Sequence, residues 1–171
     1  MNKAIFLDRD GVIISEQGRY NYLPAHIEFN EGISDALTKF QQSGYLLIMI
    51  TNQAGIDKDI YTHQHVKTIH KIIRGFLKTY GVTLTDIFYC PHHPTKTNCI
   101  CRKPGSAMLE KAIALYQINP LQSYFIGDTD RDSEAAIAAG INPVKIEPNQ
   151  NINEIADNII KGSLSVNDFT I

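Results

Sequence analysis

Ala4-Ile5-Phe6-Leu7-Asp8-Arg9-Asp10-Gly11-Val12-Ile13 is the stretch that decides the architecture. Its four consecutive apolar residues, Ala4–Leu7, read as a short strand buried on both faces, the pattern of a parallel sheet. Polarity then changes abruptly to two carboxylates one residue apart, followed by a glycine. In open parallel sheets ligands bind beyond the carboxyl ends of the strands. Asp8 and Asp10 therefore stand where chemistry is done.

Outward from this stretch the same rhythm continues. Ile33, Leu37 and Phe40 recur at helical spacing before Gly44, and Tyr45–Ile50 is a second apolar strand. Val66, Ile69, Ile73, Phe76 and Leu77 mark a longer helix ending before Gly81, and Ile87–Tyr89 a third strand. Met108, Leu109, Ala112 and Leu115 predict another helix, Tyr124–Ile126 a strand, and Ala135–Ala139 a helix closed by Gly140. Val144–Ile146 predicts a last strand and Ile152–Ile160 a last helix. Alternating strands and helices predict an α/β fold: a doubly wound, mainly parallel sheet with helices on both faces. One domain over residues 1–171 accounts for the length. Only the segment from Pro91 to Pro104 exceeds an ordinary connection and needs its own explanation.

Composition excludes several classes. With 43% hydrophobic and 20% charged residues the chain is an ordinary globular protein. Sixteen Lys+Arg against 18 Asp+Glu, a formal net charge of −2, give no basic footprint for nucleic acid. The longest apolar run, Tyr45–Ile50, cannot span a bilayer, and the N-terminus lacks a signal-peptide apolar region. A cytoplasmic, monomeric protein acting on a small phosphorylated metabolite is expected. The three cysteines, all between positions 90 and 101, argue against a disulfide framework.

Four clusters fall at one edge of the predicted sheet: Asp8-Arg9-Asp10, Thr51-Asn52-Gln53, Arg102-Lys103 and Gly127-Asp128. Oxygen-only ligands suit Mg²⁺, which keeps waters and bridges to phosphate. One carboxylate can attack phosphorus to form an aspartyl-phosphate, and a second can shuttle the proton. Lys103 and the Thr51 hydroxyl suit the positioning and charge stabilisation that phosphoryl transfer requires. A single Asp after a strand is ordinarily a turn or cap residue, and Asp130 and Asp132 are read that way, as first-turn helix residues. Asp8, Asp10, Thr51, Lys103 and Asp128 together would require several such coincidences.

Asp8-Arg9-Asp10-Gly11-Val12-Ile13 resembles the first motif of haloacid dehalogenase-like phosphatases, and Thr51, Lys103 and Gly127-Asp128 resemble the next three in order. The resemblance covers residues 3 to 146. It implies the Rossmannoid fold of that family and phosphate-ester hydrolysis. Asp8 would be nucleophile and Mg²⁺ ligand. Asp10 would be general acid/base, with its backbone carbonyl on the metal. Asp128 would be a further metal ligand, and Thr51 and Lys103 would hold the transferring phosphoryl group.

The long segment has its own chemistry. Cys90, His92, Cys99 and Cys101 supply the donors of a closed Cys₃His zinc site within twelve positions. Spacing alone also admits His93. Zinc would order a loop (about 90–104) that has little apolar content. Tyr89-Cys90-Pro91-His92-His93-Pro94 and Cys99-Ile100-Cys101-Arg102-Lys103-Pro104 resemble the zinc loop of one subgroup, which favours His92. That subgroup contains D-glycero-D-manno-heptose-1,7-bisphosphate 7-phosphatases and histidinol-phosphate phosphatases, which have no large cap domain. The loop is several residues shorter than is usual there.

Thr51-Asn52-Gln53-Ala54-Gly55-Ile56 and Glu16-Gln17-Gly18-Arg19-Tyr20 look more like the heptose type. By that resemblance Glu16, Gly18, Arg19, Asn52, Gln53 and Arg102 would contact substrate. Arg102 suits a distant anionic group. Heptose members commonly carry Lys directly after the fourth-motif Asp, where this chain has Thr129; Asp132 then offers an additional carboxylate. Histidinol phosphate is the alternative substrate. A catalytically silent zinc-stabilised module would be expected to lack Asp8 or Asp10, and an enzyme of nucleic-acid ends to carry a basic groove. His63, His65 and His70 are read as surface residues of a helix.

Overall fold

Alternate residues of the first strand bury on opposite faces, and this divides the core in two. In β1 (Lys3–Leu7), Ile5 and Leu7 enter one apolar cluster while Ala4 and Phe6 enter the other. In β2 (Tyr45–Asn52), Leu47 and Met49 repeat the first choice and Ile48 and Ile50 the second. A strand whose two sides both meet apolar neighbours has no solvent face, which is why these segments read as continuous apolar runs.

The computed structural model describes residues 1–163. After β1 and β2 come β3 (Asp86–Cys90), β4 (Tyr124–Gly127) and β5 (Asn142–Lys145). All four pairings are parallel, in the order β3-β2-β1-β4-β5. Helices α1 (Ile33–Gln42), α2 (His63–Thr79) and α5 (Asn153–Lys161) pack Phe40, Ile73 and Ile159 against one face. Helices α3 (Ala107–Tyr116) and α4 (Asp130–Ala138) pack Leu109 and Ala135 against the other. This is the predicted doubly wound α/β sheet, with no large cap over the strand ends among the described residues. The expected single domain ran to Ile171; residues 164–171 lie outside the described ones.

Every predicted strand and helix is present, with shifted ends. Helix α4 starts at Asp130, five residues before the apolar run that revealed it. The Thr129 side chain accepts from the backbone of Asp132, and Asp132 accepts from the backbone N–H of Thr129, so a polar first turn precedes the apolar face. The last strand begins at Asn142 and stops before Ile146, which is buried beyond it. Leu115 does not belong to the buried face of α3: it is 55% exposed, and Ile113 and Tyr116 pack on the cluster instead. His70 is not a surface residue either. It is buried in α2, with its ring 5.5 Å edge-on to that of Tyr89. No helix among the described residues is long and apolar enough to cross a membrane.

Candidate active site

The strand order reverses direction at β1, whose neighbours β2 and β4 lead to opposite halves of the sheet. The crevice at such a switch point is where open parallel sheets bind ligands. Asp8 leaves β1 there and Asp128 leaves β4 beside it. Two glycines permit the approach. A Cβ on Gly11, which has φ +82°, would collide with the Asp128 carboxylate, and one on Gly127 would collide with Asp132.

Lys103 is the hub. It is 2% exposed, and its ammonium lies 2.9 Å from Asp8 Oδ1 and 2.6 Å from Asp132 Oδ1. It also donates to the Ile50 carbonyl at 3.0 Å, near the end of β2. The Asn52 amide accepts from the Lys103 backbone N–H and donates to the Lys103 carbonyl, so β2 fixes the backbone that carries this cation. Desolvation works against the charge on Lys103, but Asp8 and Asp132 hold its pKa above the ordinary value.

Asp8, Asp128 and Asp132 each place a carboxylate oxygen within 4.8 Å of the others. Asp8 and Asp132 pair with the one buried ammonium of Lys103, with the Asp128 carboxylate beside them. Burial, reinforced by the charges of Asp132 and Asp10 and opposed by Lys103, pushes Asp8 up to about 7. Burial and Asp132 push Asp128 up to about 6. Excess negative charge on hard oxygen donors fits a divalent cation, which would restore the ionised forms.

Asp10 turns away from that cluster. Arg9, 2% exposed, donates to both its oxygens, from Nε at 3.0 Å and Nη2 at 3.1 Å. Asn21 donates to it at 2.8 Å and Gln53 at 3.3 Å. Gln53 also donates to the Thr51 hydroxyl at 2.9 Å, and the Tyr61 hydroxyl donates to Gln53 Oε1 at 2.8 Å. The tyrosine thereby sets which end of the amide faces Asp10 and Thr51.

A cavity of about 310 Å³ opens over these groups. Of the residues expected to touch substrate, Glu16, Arg19, Asn52, Gln53 and Arg102 line it. Gly18 is not in its wall; its N–H donates to Glu16 Oε1 at 2.6 Å and so shapes the neighbouring turn. Asn52 is occupied in fixing Lys103. Arg102 donates to the His92 carbonyl at 3.2 Å, which ties it to the loop beyond β3.

That loop gathers four soft donors. Cys90 Sγ lies 3.6 Å from His92 Nδ1, 3.7 Å from Cys99 Sγ and 3.3 Å from Cys101 Sγ, with Cys101 Sγ 3.4 Å from His92 Nδ1. A tetrahedral zinc with Zn–S of about 2.3 Å and Zn–N of about 2.0 Å requires donor separations of roughly 3.5–3.8 Å. The donor set fits that ion. His93, which spacing could not exclude, is outside the cluster: its ring meets the Thr95 hydroxyl and its N–H donates to Asp57.

Known proteins supply the family. Residues 100–162 match the HAD-hydrolase-like family model. The D-glycero-beta-D-manno-heptose-1,7-bisphosphate 7-phosphatase of Haemophilus ducreyi is 39% identical, over 81% of this chain and 79% of its own. The chain belongs to the heptose-bisphosphate phosphatase group of HAD-like hydrolases. The Escherichia coli K12 7-phosphatase of the same name is 37% identical, over 81% of this chain and 75% of its own. In fold, the chain resembles the D,D-heptose 1,7-bisphosphate phosphatase of B. bronchiseptica, solved with magnesium and phosphate. The TM-score is 0.87 at 24% identity, covering 94% of this chain and 99% of the other. Like these relatives, the chain is a phosphatase.

Within that family site, three contributors escaped sequence reasoning: Arg9 and Asn21 clamp Asp10, and Tyr61 orients Gln53. Asp132, the additional carboxylate expected after Thr129, faces Lys103 while also capping α4. Arg9 was legible only as the residue between two carboxylates. Asn21 and Tyr61 come from loops with no periodicity to place them. Asp130, by contrast, is the first-turn residue expected, pairing with Lys145 at the surface.

Proposed function

We propose that this phosphatase removes the 7-phosphate of D-glycero-D-manno-heptose 1,7-bisphosphate. Asp8 is the nucleophile, Asp10 the general acid/base, and Thr51 and Lys103 hold the reacting phosphate. The observation that carries the reading is Lys103 set between Asp8 and Asp132 at the sheet's switch point, with Asp8 open to the cavity. The relatives named above act, by their names, on that bisphosphate.

In the first step an Asp8 oxygen attacks phosphorus and the bond from phosphorus to the sugar oxygen breaks. The departing oxygen takes a proton from Asp10. In the second, water attacks the aspartyl-phosphate, giving its proton to Asp10 and freeing Asp8 and inorganic phosphate. Arg9 and Asn21 keep Asp10 in position for both transfers. Asp8, the Asp10 carbonyl and Asp128 would hold Mg²⁺, which would neutralise charge on the phosphoryl oxygens. Cys90, His92, Cys99 and Cys101 would hold Zn²⁺, which would order the loop that presents Arg102 and Lys103.

A panel of heptose 1,7-bisphosphate in both anomers, histidinol phosphate and p-nitrophenyl phosphate tests the assignment. The highest kcat/KM is expected for a heptose bisphosphate. A higher value for histidinol phosphate would overturn it.

A further inference from the structure

A buried hydroxyl heads a hydrogen-bond chain that ends on the proton-transfer group. Tyr61, 4% exposed, donates to Gln53 Oε1 at 2.8 Å. Gln53 Nε2 then donates to Thr51 Oγ1 at 2.9 Å and to Asp10 Oδ2 at 3.3 Å. The turn between Gln53 and Tyr61 is shaped for this contact: the Tyr61 ring lies so close to Gly55 that a Cβ there would collide with it. Burial pushes the Tyr61 hydroxyl up to about 12, against the Arg9 charge and a backbone hydrogen bond from Gly55. The hydroxyl therefore keeps its proton at neutral pH. An oxygen that accepts from a backbone N–H turns its own hydrogen elsewhere, here to Gln53.

Among the described residues, the other side chains bonded to Asp10 cannot reverse. The Arg9 guanidinium owns no acceptor. Asn21 Nδ2 donates to the Ser15 carbonyl at 2.8 Å as well as to Asp10, which holds that amide in one orientation. Gln53 lacks such an anchor on its nitrogen, because the Thr51 hydroxyl can accept or donate. While Asp10 is ionised, its charge keeps the NH₂ end of Gln53 turned toward it. Once Asp10 carries the proton that the leaving oxygen needs, that preference is gone, and a turned amide would accept the proton with Oε1. Thr51 would be drawn the same way, giving its hydrogen to Oε1 instead of to a phosphoryl oxygen.

We infer that Tyr61 is a positioning residue for phosphoryl transfer: acting through Gln53, its hydroxyl keeps the Asp10 proton and the Thr51 hydrogen directed at the substrate. The inference rests on Asp10 as the general acid. In the first step the phosphorus–oxygen bond breaks as the Asp10 proton passes to the departing sugar oxygen, and Asp10 returns to carboxylate. A sugar alkoxide needs that proton to leave, whereas p-nitrophenolate departs as a stable anion.

Tyr61→Phe removes the hydroxyl and keeps the ring, and kcat/KM reads the step that forms the aspartyl-phosphate. The variant should lose about ten-fold or more on heptose 1,7-bisphosphate, and a loss smaller by about five-fold is expected on p-nitrophenyl phosphate. Asp10→Asn should show the same ordering more strongly. In a Gln53→Ala background, Tyr61→Phe should change either value by less than about two-fold, because the hydroxyl acts through that amide. Equal losses on the two substrates, no loss on either, or an undiminished effect in the Gln53→Ala background would overturn the positioning role. If Asp10→Asn itself lost equally on both substrates, the general-acid reading would fall and the inference with it. If Asp10→Asn discriminates and Tyr61→Phe does not, the role of Tyr61 alone falls.

Discussion

Asp132 lies 2.6 Å from the Lys103 ammonium and at the same time accepts from the backbone N–H and hydroxyl of Thr129, at 3.1 and 2.7 Å. One carboxylate thereby caps a helix and holds the buried cation of the active site. Its two oxygens divide the work: Oδ2 caps, and Oδ1 faces Lys103. Asp132→Ala should destabilise the protein by about 2–4 kcal/mol, combining a lost cap with a weakened buried ion pair. It should also lower kcat, because Lys103 is left to Asp8 alone. Asp132→Asn keeps an acceptor for the cap and should lose less stability. A urea midpoint for Asp132→Ala equal to that of wild type would contradict the dual role.

Asp8→Asn should abolish hydrolysis and leave the fold intact. The amide cannot form the acyl-phosphate, and a loss of about four orders of magnitude or more is expected when covalent catalysis and a metal ligand go together. Circular dichroism checks the fold and a phosphate-release assay the activity. Turnover within ten-fold of wild type would rule out Asp8 as nucleophile.

Metal analysis of protein purified without chelator should find one tightly held zinc per chain, separate from exchangeable magnesium. Cys99→Ser removes one corner of the Cys90, His92, Cys99 and Cys101 cluster. It should lower zinc content and thermal stability together, since folding of such a loop is linked to metal binding. Zinc-free protein of full stability would refute the structural role.

His70 gives a pH dependence with a definite sign. Burial, assisted by the Arg9 charge, depresses its pKa from 6.5 to about 3, so the folded protein keeps the ring neutral. Its Nε2 is buried without a hydrogen-bond partner. The unfolded chain binds a proton below 6.5 and the folded chain does not, so this contribution is complete above 6.5 and is lost as pH falls towards 3. Between pH 7 and pH 5 the loss is about 2 kcal/mol. His70→Leu should flatten that part of the profile in denaturant unfolding. An unchanged slope in the variant would place the effect on other groups.

Local patterns were enough for the frame and for the chemistry at its edge. A strand buried on both faces must be apolar along its whole length, so Ala4–Leu7 and Tyr45–Ile50 announced a parallel sheet. Residues just beyond the carboxyl ends of such strands are equally local, so Asp8, Thr51 and Asp128 could be picked out in order, with Lys103 ahead of α3. The Cys₃His donors lie within twelve positions, and their chemistry needed no fold to be recognised. Spacing alone left His93 open; the resemblance of the loop favoured His92, and the fold gathers His92 with the three cysteines.

Tertiary structure alone decided the supporting contacts. Asn21 on Asp10 and Tyr61 on Gln53 join segments whose separation in sequence carries no periodic signal. His70 reads as exposed in the sequence because position on a helix face does not reveal what packs over it, here the ring of Tyr89. Asp132 reads as a first-turn helix residue and is one; that it also faces Lys103 depends on Gly127, where any side chain would hold the two elements apart. Sequence records which groups a chain owns and how each segment hides its apolar side. Which of those groups share a charge, a proton or a substrate depends on distances that exist only once the sheet has closed.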